Sequence, residues 1–267
     1  MMKYLRTNLR LFMDGALLSY IALFRWLRPS TYIASMVVGP LAYMFFFVFL
    51  GKYATGAGNV AFYVIGNAVQ MVAFSGIYGV TMSISGDRWD GTLPYLFGTP
   101  ANRFFLFFGR AFMHVINGAF SVVISFIWGV LLLGLDLSNA NLPALAATIL
   151  ATAFSTCCLG LLFGSVALMT RNVMFVNNTV FFLMLFFSGA NIALDTLPAW
   201  MRTISFALPL TRGIAAARQI VAGADLSDVA PLLGGEVGFG VIYVAIGFVM
   251  FSWFEYQAKR KGTLEAV

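Results

Sequence analysis

The sequence predicts an all-α, polytopic membrane protein with six transmembrane helices. An N-terminal amphipathic interfacial helix precedes them, and a re-entrant or amphipathic helical hairpin separates spans five and six. Three observations predict this. Of 267 residues, 61% are hydrophobic and 10% are charged, where soluble domains run nearer ~45–50% and ~25%. A small globule has no interior for that much apolar surface. The apolar residues form runs long enough to cross about 30 Å of hydrocarbon at about 1.5 Å per residue. The basic residues are also unevenly divided between the two sides of those runs.

The runs lie near residues 31–50, 60–84, 104–134, 142–169, 173–190 and 232–254, and the whole chain, 1–267, reads as one transmembrane domain. With both termini inside, the inner segments hold Lys3, Arg6, Arg10, Arg25, Arg28, Arg88, Arg103, Arg110, Arg171, Lys259, Arg260 and Lys261. The outer segments hold Lys52, Arg202, Arg212 and Arg218, so the division is twelve against four. Cytoplasmic loops retain Lys and Arg, which predicts cytoplasmic N and C termini. The same division gives the net charge of +6 a membrane cause and argues against a nucleic-acid partner.

Residues 1–30 are amphipathic rather than spanning. Lys3, Arg6, Arg10 and Asp14 share one side of a helix, and Leu5, Leu9, Phe12 and Ala16 another. Such a helix lies at the headgroups with Trp26 near the interface, as an anchor or as a surface that also touches a cytoplasmic partner. Pro29 turns the chain into the first span.

Two longer interruptions carry most of the information. Residues 85–103 include Asp87-Arg88-Trp89-Asp90-Gly91-Thr92-Leu93-Pro94 and close on Thr99-Pro100-Ala101-Asn102-Arg103. A segment this short and mixed in charge predicts one short helix parallel to the membrane. Trp89, Leu93 and Leu96 would form its apolar strip, and Asp87, Arg88 and Asp90 its charged rim. Gly91 either permits close backbone approach or starts a turn. In residues 191–231, Leu197, Trp200, Met201, Ile204 and Leu208 form one helical stripe, and Leu210, Ile214, Ala217 and Val221 a second, with Pro209 between. Both stripes are too short to span. They predict a helical hairpin over the outer end, its backbone buried in protein or near headgroups.

Polar residues inside spans are costly against lipid. His114, Asn117, Ser121 and Ser125 share one face of span three, and Asn67, Gln70 and Thr81 one stripe of span two. Each face is either helix–helix hydrogen bonding, worth ~0.6 kcal/mol a pair, or a substrate path or dimer seam. Thr152, Thr156, Gly160 and Gly164 recur every four residues and predict close helix packing. Glu236 is interfacial, or pairs with Arg212 or Arg218, or faces an exit path. The adjacent Cys157 and Cys158 do not suit a mutual disulfide. With one histidine, no metal-ligand cluster and no Gly-x-x-x-x-Gly-Lys-Ser/Thr loop, the chain offers no catalytic site and no cofactor site.

Asp87-Arg88-Trp89-Asp90-Gly91-Thr92-Leu93, then Thr99-Pro100 and Arg103, resembles the inner signature of the ABC type-2 exporter permeases. Leu197-Pro198-Ala199-Trp200, Leu208-Pro209-Leu210-Thr211, Ala217-Arg218 and Gly223 resemble the outer one. The resemblance covers essentially the whole chain, with the drug, lipid and lipo-oligosaccharide exporters as its nearest flavour. One departure is Pro94, where such proteins commonly carry Glu. The resemblance implies a bacterial inner-membrane permease, working as a dimer with separate ATP-binding ATPase subunits, that exports a lipophilic or lipid-linked substrate. It also implies a coupling role for residues 85–103. A polysaccharide or glycoconjugate exporter is the alternative within the family. A proton-coupled secondary transporter is disfavoured by the near absence of mid-membrane carboxylates, and a non-transporting membrane scaffold is the remaining rival.

Overall fold

The computed structural model describes residues 2–26, 28–55, 60–99, 101–168, 170 and 172–261. Pro100, Met169 and Arg171 lie outside the described residues, as do the side chains of Lys3, Leu5, Arg25, Trp26 and Lys261. The described chain is helical throughout, with no strand: α1 (Met2–Trp26), α2 (Pro29–Thr55), α3 (Val60–Gln70), a π-helical segment (Phe74–Gly79), α4 (Val80–Trp89), α5 (Leu93–Gly98), α6 (Arg103–Leu133), α7 (Leu142–Ala167), α8 (Val173–Phe187), a 3-10 turn (Leu194–Thr196), α9 (Ala199–Ala207), α10 (Thr211–Val221) and α11 (Leu226–Lys261). From α3 to α4 the chain is one membrane-length helix, Val60–Trp89.

Asparagines begin three of these helices. The side chains of Asn102, Asn141 and Asn172 accept from the amides of Phe104, Ala144 and Phe175, each at 3.1 Å. Each thereby satisfies one of the donors a helix leaves unpaired at its start. Gly134 ends α6 in the left-handed region, φ 68°, where a side chain would be strained.

Small residues bring the helices together. A methyl at Gly160 of α7 would sit 1.9 Å from the Gly76 carbonyl oxygen, and one at Gly213 of α10 would sit 2.0 Å from Thr152 Oγ1. Gly240 and Gly247 of α11 lie against Ser155 and Leu162 of α7. In lipid, where burial of apolar surface no longer drives association, such close backbone approach is what holds helices together. Thr148, Thr152 and Thr156 return their hydroxyls to carbonyls four residues earlier, at 2.9, 2.7 and 2.7 Å. The Thr152–Gly164 stripe is therefore a packing surface. Span two and α7 form the buried centre, while α2 and α11 are peripheral.

Three features differ from the expected six regular spans. Among the described residues, five helices are long and apolar enough to cross a membrane. The fifth expected span is instead the 15-residue α8, about 22 Å long, which stops where Gly189 (φ 78°) turns the chain toward the hairpin. The last helix begins at Leu226, not near 232, so Glu236 lies within it. Finally, α1 packs along α6 through small groups: methyls at Gly15 and Gly109 would sit 2.4 Å from Leu106 O and 2.1 Å from Phe12 O. Asn8, Ala16 and Ser19 are buried there, while Leu9, Met13, Leu17 and Leu18 remain exposed.

Candidate functional site

The end of α11 and the start of α6 meet the α4–α5 turn at one end of the bundle. Helix α4 runs on through Trp89, and the chain then reverses at Gly91, whose φ of 66° suits glycine. Thr92 closes the turn, its amide and hydroxyl meeting Asp87 O at 2.9 and 3.2 Å and its hydroxyl meeting Asp87 Oδ1 at 3.1 Å. Gly91 is thus a turn residue. The single helix expected over residues 87–103 is replaced by the end of α4, this turn and the separate α5. Pro94 falls in the first turn of α5, where a missing amide hydrogen costs nothing.

This geometry redistributes the expected contact residues. Leu93 is buried in the core, and Leu96 is half-buried against it, so neither forms the outward strip predicted with Trp89. Trp89 is exposed, and Tyr95 joins it at 78% exposure. Asp87 pairs with Arg110, Oδ2 to Nη1 at 2.5 Å, with only 14% and 10% of the two side chains exposed. Arg88 donates to Leu168 O at 2.9 Å and Thr170 O at 3.1 Å, placing a cation at the C-terminal end of α7. Asp90 is exposed at the surface.

From α5 the contacts run into α6 and α11. Arg103 Nη2 lies 3.2 Å from Glu255 Oε1 and donates to Phe97 O at 3.0 Å. Phe97 packs on Phe251, which also meets Phe107. Helix α5 thus touches both the start of α6 and the end of α11.

The polar face of span three opens on a cavity of about 450 Å³ bounded by α2, the π segment and α6, with His114, Asn117 and Ser121 in its wall. Asn117 Nδ2 donates to Ser75 Oγ at 3.0 Å, Tyr32 donates to Asn117 Oδ1, and Ser75 donates to His114 O at 2.9 Å. Asn67, Gln70 and Thr81 of span two do not line it. Asn67 Nδ2 donates to Tyr63 O and Asn191 Oδ1, both at 2.8 Å. Gln70 Oε1 accepts from Ser188 at 2.9 Å, and Thr81 donates to Gly160 O at 3.3 Å. Asn67 and Gln70 therefore tie span two to the α8 end rather than lining a path.

At the opposite end, α9 and α10 meet at Leu208, Pro209 and Leu210. Leu210 takes φ 79°, unusual for a residue with a side chain, and its amide donates to Glu236 Oε1 at 2.9 Å. Glu236 is completely buried, with Arg212 and Ser155 beside it, and sits where α10 begins. A carboxylate there opposes the positive end of the helix dipole. Arg218 is elsewhere: its guanidinium lies 3.6 Å from the centre of the Phe62 ring and donates to Phe62 O and Ala190 O at 3.0 and 3.1 Å. Burial lowers its pKa to about 10, so the charge persists at neutral pH. The second predicted stripe is buried, but Trp200 and Ile204 of the first are exposed while Ser205 turns inward.

Tyr32, Tyr43, Ser75, Tyr95 and Glu255 were not among the residues singled out from sequence. Tyr32, Tyr43 and Ser75 are brought to the α6 cavity by tertiary packing, and Tyr95 is exposed on α5. Glu255 had a local signal, because an acid one turn before Lys259 suits an i, i+4 pair, and the two meet at 2.6 Å.

A comparison with curated proteins finds no match. The model of the ABC-2 type transporter family matches residues 16–222, a stretch containing the α4–α5 turn, the cavity and the hairpin up to the end of α10. The chain therefore belongs to the ABC-2 type transporter family and is the multi-pass membrane permease of an ABC-type exporter.

Proposed function

We propose that this permease exports a lipophilic or lipid-linked substrate. In this reading it works as a homodimer in a bacterial inner membrane, with both termini cytoplasmic and an ATP-hydrolysing subunit docked on residues 89–99. Family membership implies the ATPase partner, and the docking place is argued from the chain itself. The observation that carries it is the exposure of Trp89 and Tyr95 beside charges already held by the permease, Asp87 by Arg110 and Arg88 by the end of α7. An aromatic pair on a braced turn presents apolar anchors with little ordering left to occur on binding. Substrate would pass between inward- and outward-open forms as ATPase closure moves α5, and with it α6 and α11.

The test is co-purification of the ATPase with the permease, followed by ATP hydrolysis with and without lipophilic substrate in lipid discs. Replacing Trp89 and Tyr95 together with Ala removes only exposed groups, so folding is retained. Association weakens by at least about tenfold, on the order of 1.4 kcal/mol. A double variant that binds and couples like the parent refutes docking at this turn.

A further inference from the structure

The cavity beside α2 has a lining that distinguishes it from a packing fault. Its volume of about 450 Å³ falls in the ~300–1,000 Å³ range of small-molecule sites. No Asp, Glu, Lys or Arg lines it. Its polar groups are Tyr32, Ser35, Tyr43, Ser75, His114, Asn117 and Ser121, and the remaining wall is apolar. Two of these groups have buried atoms without a hydrogen-bond partner among the described residues, Tyr43 OH and His114 Nε2. His114 is 7% exposed, and its other ring nitrogen lies so close to Gly79 that a methyl there would be 2.3 Å away. A buried unpaired polar atom bears its full desolvation cost, and a ligand that meets both atoms recovers much of it.

A second cavity of about 210 Å³ reaches toward Ser19 of α1 and shares Tyr32, His114 and Asn117 with the first. The Tyr32–Asn117–Ser75 hydrogen-bond chain therefore stands where the two cavities adjoin. The π segment contributes Phe74, Ser75 and Gly79 to the larger cavity, and such wide turns are frequent where a helix serves a site.

We propose that these adjoining cavities form a binding site, within one permease chain, for an uncharged amphiphile with an apolar body and a hydroxyl or carbonyl head. The head reaches Tyr43 and His114, and the molecule is admitted from the α1 side past Tyr32 and Asn117. A charged head is rejected, because its desolvation is met by no opposite charge in the wall. The inference deepens the export reading and rests on it for the ligand's fate, though not for binding itself.

The test uses the full chain with its ATPase in lipid discs and two photoactivatable long-chain probes, one an alcohol and one the corresponding phosphate ester. The alcohol labels α2 and α6 and is displaced by excess unlabelled alcohol, while the phosphate labels these helices at least about tenfold less. Gly39→Phe fills the space from the cavity wall, where an added carbon meets nothing within 4 Å, and reduces alcohol labelling at least about fivefold. Val38→Phe, on the exposed neighbour outside the lining, leaves labelling unchanged. Asn117→Leu, which removes the chain's central hydrogen-bonding side chain, also reduces it. A neutral lipid that co-purifies with the parent and disappears in Gly39→Phe identifies a membrane source. Alcohol labelling with no such lipid identifies a solute taken up from outside the bilayer. Equal labelling by both probes, or labelling indifferent to Gly39→Phe and Asn117→Leu, overturns the site. If ATPase association persists in that case, the site alone fails. If the ATPase never associates while labelling follows the expected pattern, the export reading fails and the site stands.

Discussion

At the α5 end, Asp87 meets Arg110 and Arg103 meets Glu255, pairs of opposite side-chain charges that water partly reaches. At the hairpin end, Glu236 holds the Leu210 amide and Arg218 holds the carbonyls of Phe62 and Ala190; both bind chiefly to backbone, Glu236 fully buried and Arg218 half-buried. The difference is mechanical. A side-chain ion pair near a surface exchanges partners cheaply, because water or a docked protein's charges replace what is lost. A buried polar group held by backbone cannot let go without leaving that backbone unsatisfied. The α5 end combines side-chain ion pairs with backbone contacts from Arg88, Arg103 and Arg110, whereas the hairpin end has no such ion pair among the described residues.

The largest expected effect lies at the hairpin end. A side chain at Gly66 meets Ala190 O at 2.5 Å and Arg218 Nη2 at 2.7 Å, while one at Gly86 of α4 meets nothing within 4 Å. Gly66→Val should cost about 3 kcal/mol, seen as loss of the monodisperse peak and a lower unfolding temperature in detergent. Gly86→Ala should stay within about 0.5 kcal/mol of the parent. Equal tolerance at both positions would erase the contrast.

A smaller effect sharpens the reason for it. Glu236→Leu strands the Leu210 amide and should cost about 1–3 kcal/mol. Glu236→Gln keeps an acceptor and should recover most of that. If Gln is as damaging as Leu, the charge at the start of α10 matters more than the acceptor.

The smallest effects belong to the α5 end. Asp87→Asn should lower stability by about 1–2 kcal/mol, between the values for exposed and buried pairs. Arg103→Ala should cost about 1 kcal/mol, through Glu255 and the Phe97 carbonyl. Unfolding temperatures at low and high salt should differ more for the parent than for either variant, because screening acts on the pairs.

The residues that sequence placed well are those with a local cause. Apolar runs, Pro209 between two stripes and the four-residue spacing of Thr152 to Gly164 all act through neighbours on one helix, and the structure follows them. What escaped was fixed by partners far along the chain. Leu93 fits an outward strip on spacing alone, but the Gly91 turn rotates α5 and buries it. Asn67 and Gln70 share a stripe with no indication that Asn191 and Ser188 await them. Glu236 gave no sign that a strained Leu210 would need its oxygen. The cavity was half visible: one polar face was on α6, and Tyr32, Ser35, Gly39 and Tyr43 share a face of α2, but nothing local shows that the two faces meet.

The central claim is that ATPase action enters through the α4–α5 turn and is carried by α6 and α11 while the hairpin end keeps its shape. Amide hydrogen exchange on the permease–ATPase complex, with and without a non-hydrolysable ATP analogue, tests it most directly. The account predicts altered exchange in residues 89–99, at the start of α6 and around Glu255, with residues 199–221 unchanged. A nucleotide response confined to residues 199–221, with the α4–α5 turn silent, would contradict it.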